Sequence, residues 1–496
     1  MLVCKKLNDW QFEGFGIYNI LHMLMSGIIL MGMIMQSLAM GYILPAAQCD
    51  LDLTLQQRGW LSAIPFAAII VTSYFWGWLA DTRGRKPIIQ FSMFMSTIFS
   101  VLASFAPEII SFAVLQFISA VLSVLPNSRN RLNCTSTGRI IIIIKSLNCI
   151  SWLILPLEFS FPINFLGIVY RPWRLLIIAF AMPFAIASVM LFFAPETPKF
   201  LAVKGDNEAA LDVVKTIYSG NTRMPKDTFE VKALMVEYQT TASTDTGFKA
   251  VIASMKDQTL PLFKMPLLPW FVLCSFVQFG MFAATNGFYV WFPTILNSLA
   301  NHEGGETRIC DVLEASKVPI GNETEVFCDD TINTATFERS IYIGLVFSSM
   351  YFIVGFLVDI VGKKLILVTI LSVTGVCGIG ANLAYNQQLA VVLFAVFQMC
   401  GACIGLMNAV AVELFPTKHR AMAICLAMMM GRVGSMIGSN LVGLFLEINC
   451  GAGFYLFGGI IIVNAVCCLT LPNKKKAPPV QPKMVEPTQN QTHEPV

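Results

Sequence analysis

The sequence predicts an all-α polytopic membrane protein of two six-helix bundles, with both termini on the cytoplasmic side. Three observations carry this. Of 496 residues, 56% are hydrophobic and 13% charged, about half the charge of an ordinary soluble domain. The apolar residues gather in twelve runs, six on each side of a long polar stretch. One loop motif occurs twice, at the same place in each set of six. So few charges cannot cover a soluble protein of this size, which argues against a soluble enzyme, a nucleic-acid binder or a disordered scaffold.

The first six runs fall near 21–46, 60–80, 88–106, 109–126, 140–157 and 175–194. The second six fall near 268–296, 341–358, 365–384, 388–410, 422–446 and 453–471. Twelve spans of about 20 residues would use close to half the chain. The expected organisation is a cytoplasmic N-terminus (1–20), an N-terminal bundle (21–194), a cytoplasmic central loop (195–266), a C-terminal bundle (267–472) and a tail (473–496). The Pro-rich, polar tail reads as disordered. The N-terminus shows no signal-peptide pattern, and neither end a lipidation motif.

Charge placement sets the orientation. Basic residues follow spans two, four, eight, ten and twelve: Arg83, Arg85 and Lys86; Arg129, Arg131 and Arg139; Lys363 and Lys364; Lys418 and Arg420; Lys474, Lys475 and Lys476. If the spans alternate, all lie on one side, which the positive-inside rule makes the cytoplasm. The opposite loops hold few basic residues, Arg58, Arg171 and Arg174 among them.

One opposite-side loop is long, 297–340, and acidic. Its two cysteines, Cys310 and Cys328, would pair in an oxidising compartment. Asn322 heads an Asn-Glu-Thr glycosylation acceptor. Free thiols and a chance acceptor are the alternatives. Most of the 14 cysteines fall in apolar runs and behave as small hydrophobes. No metal site and no cofactor is expected.

The repeated motif reads Gly77-x-x-x-Asp81-x-Arg83-Gly84-Arg85-Lys86 between spans two and three. Between spans eight and nine it reads Gly355-x-x-x-Asp359-x-x-Gly362-Lys363-Lys364, 278 residues later. The glycines allow close packing and a short turn. The aspartate ends a helix where it can pair with a base or a helix N-terminus. Such a latch could break and reform as two halves rock.

With this motif the chain resembles the major facilitator superfamily. Within it, the chain is similar to the synaptic vesicle glycoprotein 2 group. The stretches FEGFGIYNI, MGYILPAAQCDLDLT, YRPWRLL, PETPKFLAVKG and ELFPTKHRAMA carry that likeness, over roughly 10–125 and 165–472. The resemblance implies two six-helix bundles and adds Glu413 and Arg420 to the second latch. The counterpart carboxylate is missing from the first half, because 124–152 holds no acidic residue. An altered splice form and genuine divergence both account for that atypical stretch, and with it spans four and five are in question.

A transporter of this kind needs a polar site near the midplane, between the halves. The candidates are Gln36 in span one, Gln116 in span four, Gln278, Asn286 and Trp291 in span seven, Gln398 and Asn408 in span ten, and Arg432 in span eleven. In the superfamily resembled, spans one, four, seven and ten line the cavity. Amides also cross-link helices, Arg432 could pair with a helix C-terminus, and Trp291 could be an interfacial anchor. The lines Gly431-Gly434-Gly438 and Gly401-Gly405 read as tight helix contacts.

The leading reading is a secondary transporter, and not an enzyme, for a small organic solute or ion. It would be a monomer in contact with membrane lipid, without a nucleic-acid partner, in the plasma membrane or an intracellular vesicle membrane of synaptic type. The second reading is a non-transporting vesicle membrane glycoprotein that acts as a binding partner.

Overall fold

A computed structural model describes residues 16–83, 85–123, 149–203, 205–229, 231, 256–257, 259–301, 308–315 and 334–472. Span one is two helices, α1 (Ile17–Leu38) and α2 (Met40–Ala46), divided at Ala39. Then come α3 (Leu55–Arg83), α4 (Arg85–Ser104) and α5 (Ile109–Ser123). The fifth span falls mostly outside the described residues; 149–154 are helical. A hairpin, β1 (Phe161–Ile163) and β2 (Ile168–Tyr170), leads into α6 (Pro172–Phe193). Two short helices follow in the central segment, α7 (Pro198–Val203) and α8 (Asn207–Thr222).

The second half opens with α9 (Leu268–Ala300) and a loop helix, α10 (Ile309–Ala315). Next are α11 (Thr334–Val361), α12 (Lys363–Leu383), and α13 (Gln387–Gln398) continuing through a 3-10 turn into α14 (Ala402–Leu414). Helices α15 (Thr417–Ile448) and α16 (Cys450–Leu469) close it. Eight helices are long and apolar enough to cross a membrane among the described residues.

The ends follow local chemistry. Thr54 and Gln57 form a capping box at the start of α3: Thr54 N–H donates to Gln57 Oε1 at 2.9 Å, and Gln57 N–H to Thr54 Oγ1 at 3.2 Å. Asn386 caps α13 and Asn449 caps α16. Gly362 has φ +100° before α12, a backbone that side chains rarely adopt.

The C-terminal half packs around α9. At 33 residues, this helix is roughly 50 Å long and overshoots a bilayer core of about 30 Å. Its Phe288 ring meets Phe394, Phe397, Phe454 and Phe457 at 5.0–5.6 Å. Glycines let α15 lie directly on it: a Cβ at Gly434 would run into Phe279 O, and one at Gly438 into Ala283 O. Gly431 faces the Phe282 ring. Gly405 corrects the expectation for span ten, since a Cβ there meets nothing within 4 Å.

The disulfide expectation is also corrected. Cys310 pairs with Cys450, across 140 residues, and so staples α10 to the start of α16. Cys328, like Asn322, lies outside the described residues. The physical reason is placement: Cys450 opens α16 at the same end of the bundle as α10.

Candidate functional site

The two latches share one feature. Lys86 Nζ donates to Phe192 O, the carbonyl end of α6, at 3.3 Å. Lys364, its counterpart, donates to Leu471 O just beyond α16. Each lysine thus ties the third helix of its half to the end of the sixth, where carbonyls carry partial negative charge. The Glu196 carboxylate accepts from Lys86 N–H at 3.2 Å, at the start of α4, a helix end that favours an anion. Lys363 pairs with Glu413 at 2.6 Å, and Arg420 Nε donates to Phe415 O at 3.3 Å. All these contacts lie within one half. They brace each bundle and do not bridge the two. The side chains of Asp81, Arg83, Arg85 and Asp359, together with Gly84, lie outside the described residues, while Gly77 lies on α3. Gly355 lies on α11 and is exposed.

In the N-terminal half, Gln36 reaches a cluster of hydroxyls. Its Nε2 donates to Ser100 Oγ at 3.0 Å and also to Ser119 Oγ. Its Oε1 accepts from Ser96 Oγ at 3.2 Å. Ser100 and Ser119 stand 2.7 Å apart. Helices α1, α4 and α5 are therefore joined by hydrogen bonds buried from solvent. Gln116 lines a void beside them with Gln36, Ser100, Ile177 and Phe180. That void holds about 10 Å³, room for one water at most.

The C-terminal half repeats the scheme with amides. Gln278 Nε2 donates to Asn408 Oδ1 at 2.8 Å, and Asn408 Nδ2 to Met428 Sδ at 3.3 Å. Gln278 Oε1 is buried without a hydrogen-bond partner. Asn286 Nδ2 donates to Ser435 Oγ at 2.8 Å. Gln398, with its amide oriented by the hydrogen bonds available, donates to Thr285 O and accepts from Tyr289 N–H, both at 3.2 Å. The half-buried Arg432 holds its guanidinium over the Phe282 ring at 5.4 Å. Cys400 and Cys403, in Cys-x-x-Cys spacing, are both buried and free. Among the described residues no cluster of His, Cys, Asp and Glu is placed to hold a metal.

At one end the two halves are in close contact. A Cβ on Gly41 of α2 would sit 3.0 Å from Val290 O of α9, and one on Gly59 of α3 3.1 Å from Asn440 Oδ1 of α15. Arg58, 4% exposed, spans this seam. Its Nη2 donates to Thr294 Oγ1 of the other half at 2.7 Å, and its Nη1 to Gln48 Oε1 at 2.9 Å. The guanidinium lies 5.0 Å from the Trp291 ring centre, while Trp291 Nε1 donates to Ser439 O at 2.9 Å. Trp291 is thus a buried seam residue. Sequence reasoning left Arg58 in a loop. The capping box at Thr54 and Gln57 is the signal that could have moved it into α3.

A second missed cluster braces the same end. Asp50 accepts from Trp173 Nε1 at 2.9 Å and pairs with Arg171 at 3.1 Å. Arg174, 2% exposed, lies 3.9 Å from Asp50 and donates to Ser104 O and Ala106 O beyond α4. Burial pushes the neighbouring Tyr170 hydroxyl above its usual pKa, against the pull of Ser104 and Arg174. The stretch YRPWRLL therefore acts as a clasp for the loops around it.

A family model described as Major Facilitator Superfamily matches residues 24–307 and 340–492. The chain is 25% identical to synaptic vesicle glycoprotein 2C of Mus musculus over 309 residues, 56% of this chain and 42% of that protein. It is 22% identical to the synaptic vesicle 2-related protein of Rattus norvegicus over 483 residues, 94% of this chain and 80% of the relative. The chain thus spans less than half the length of the glycoprotein 2 relatives it matches. Its fold is like that of the xylose transporter XylE from E. coli in an inward-open conformation, with TM-score 0.63, 13% identity, and 92% and 97% of the two chains covered. A mutant of the nucleoside transporter NupG aligns with TM-score 0.55 and 12% identity, over 91% and 99% of the chains.

Proposed function

Because the chain belongs to the Major Facilitator Superfamily, we propose that this multi-pass membrane protein is a secondary transporter. It moves a small organic solute or ion by alternating access between two rocking bundles. One observation carries the reading: the seam between the halves is drawn together at the end that holds Gly41, Arg58 and Trp291. With the basic latch loops in the cytoplasm, that end is the outer face, and the conformation is closed to the outside. The outer face then carries the Cys310–Cys450 staple and the Asp50 clasp.

The solute site is read from the polar side chains within the spans. Gln36, Gln116, Gln278, Asn286, Gln398 and Asn408 offer neutral donors and acceptors, and Arg432 adds one charge. In this conformation Gln278 bonds to Asn408, while Gln36, Asn286 and Gln398 bond to serines or backbone of neighbouring helices. A solute would replace those bonds, and the unpartnered Gln278 Oε1 is an acceptor already open to it. The compartment is a vesicle or plasma membrane; the names of the relatives support the vesicle. The test is uptake of labelled small organic solutes into proteoliposomes. Saturable uptake supports the reading; folded protein that shows none across a broad panel overturns it.

A further inference from the structure

The hairpin before α6 is unlike the rest of the loops. From Phe159 to Tyr170 the chain reads FSFPINFLGIVY, twelve residues without a charge. Its side chains are not hidden. Phe165 at the tip is 94% exposed and Phe161 62% exposed, with Leu166 and Val169 exposed beside them. Phe159 and Phe161 stack at 5.5 Å, which extends the apolar surface from the tip toward the base. One face is anchored: Ile168 is buried and the Tyr170 ring meets Phe105 at 5.5 Å. Phe161 shares that face through its pairing with Tyr170, while Val169 on the opposite face and Phe165 at the tip are exposed.

The backbone is paired between the two strands. The strands pair Phe161 with Tyr170, Pro162 with Val169 and Ile163 with Ile168. The turn closes with Leu166 N–H to Ile163 O at 3.1 Å and Gly167 N–H to Asn164 O at 3.3 Å. Gly167 supplies the positive φ, +63°, that the turn requires. The outward edges of the two strands keep unpaired backbone groups, which suits the hydrated headgroup region rather than the hydrocarbon core.

Charge is confined to the base. Glu158 stands before the hairpin and Arg171 after it, and Arg171 is held by Asp50 at 3.1 Å. Only Arg171 separates β2 from the membrane-spanning α6. The hairpin therefore starts at the bilayer boundary, and its aromatic tip lies within about 15 Å of it. Aromatic residues on an apolar segment beside a span suit the headgroup region.

We propose that this hairpin is a lipid-binding element, which lays Phe165, Leu166 and Val169 into the outer headgroup and acyl boundary and so anchors the start of α6. The partner is the bilayer itself. The absence of charge and the continuity with α6 favour lipid over a soluble partner. A second copy of the chain is the competing occupant.

The test uses the full chain in nanodiscs of phosphatidylcholine and phosphatidylserine. A photo-crosslinker is placed by Phe165→p-benzoylphenylalanine, a site where it displaces no contact. Glu208, exposed on the polar helix α8, takes the same substitution as the aqueous control, and Phe192 on α6 as the second reference. Lipid adducts at 165 are expected at about ten times the yield at 208, the ratio that partial burial of one Phe supports, and near the yield at 192. A yield equal to that at 208 overturns the proposal. So does a chain-to-chain crosslink as the main product. As an independent arm, Phe165→Asp is expected to cut lipid adducts formed from position 169 severalfold, and an unchanged yield there also counts against it.

Discussion

Substituting Gly41 by Val is the sharpest probe of the seam. A Cβ at this position would lie 3.0 Å from Val290 O, and 3.4 Å from Tyr289 O and Val290 Cα. The first distance is already too short, and valine adds two methyl groups where α2 crosses α9. Backbone cannot rotate out of the way as a side chain can. The closed seam must widen, at an overpacking cost of about 1–3 kcal/mol. Replacing glycine in a helix also gains roughly 0.5–1 kcal/mol, but that gain is equal whether the seam is open or closed and drops out of their ratio. The closed state alone bears the clash. A shift of about 2 kcal/mol multiplies the open population by roughly 30. Hydrogen exchange over 38–48 and 286–298 reads this directly, since opening exposes those amides. Faster exchange there, with the 365–383 region unchanged, is the expected result. Exchange that stays the same or slows would refute the claim that these helices close the outer end.

Three further outcomes follow from the surrounding contacts. Asp50→Asn removes the carboxylate beside the buried Arg174 and is expected to cost about 3 kcal/mol; thermal unfolding in detergent should show it, while Asp52→Asn, at an exposed position, should leave Tm unchanged. Cys310→Ser opens the staple to Cys450, a loss of about 4–5 kcal/mol on the chain-entropy account. Peptide mapping without reduction should recover the 310–450 pair from the parent chain, and recovery of a 310–328 pair would contradict this description. Lys363→Ala breaks a pair whose members are 36% and 43% exposed; stability should fall by less than about 1 kcal/mol, as chemical denaturation or Tm would measure.

Much of the fold was legible because membrane spans declare themselves by composition and the latches by repetition. The Gly434 and Gly438 contacts were legible too, since small residues four apart mark a face that admits another helix. Gly405 carries the same spacing and meets nothing, because spacing does not say which face a neighbour occupies. The amides were found as polar residues in apolar spans, but their bonds to Ser96, Ser100, Ser119 and Ser435 were not; serines in helices are common and carry no signal alone. The partner of Cys310 was missed because nearness in sequence pointed to Cys328, while contact across 140 residues is set by packing. Arg58 was missed for a local reason. Reading span two from residue 60 left it in a loop, and the Thr54–Gln57 box starts the helix one turn earlier. That turn carries the guanidinium inward to Thr294 and Trp291.

Counterflow tests the central claim most directly. Proteoliposomes are loaded with a high concentration of one unlabelled solute, then given a trace of the same solute with label outside. A carrier that exposes one site alternately to each side accumulates the label transiently above its equilibrium level, without ATP. The account predicts that overshoot for at least one small organic solute, and an altered rate in Gly41→Val. Label that only equilibrates, or never enters vesicles holding correctly folded protein, would contradict alternating access by this chain.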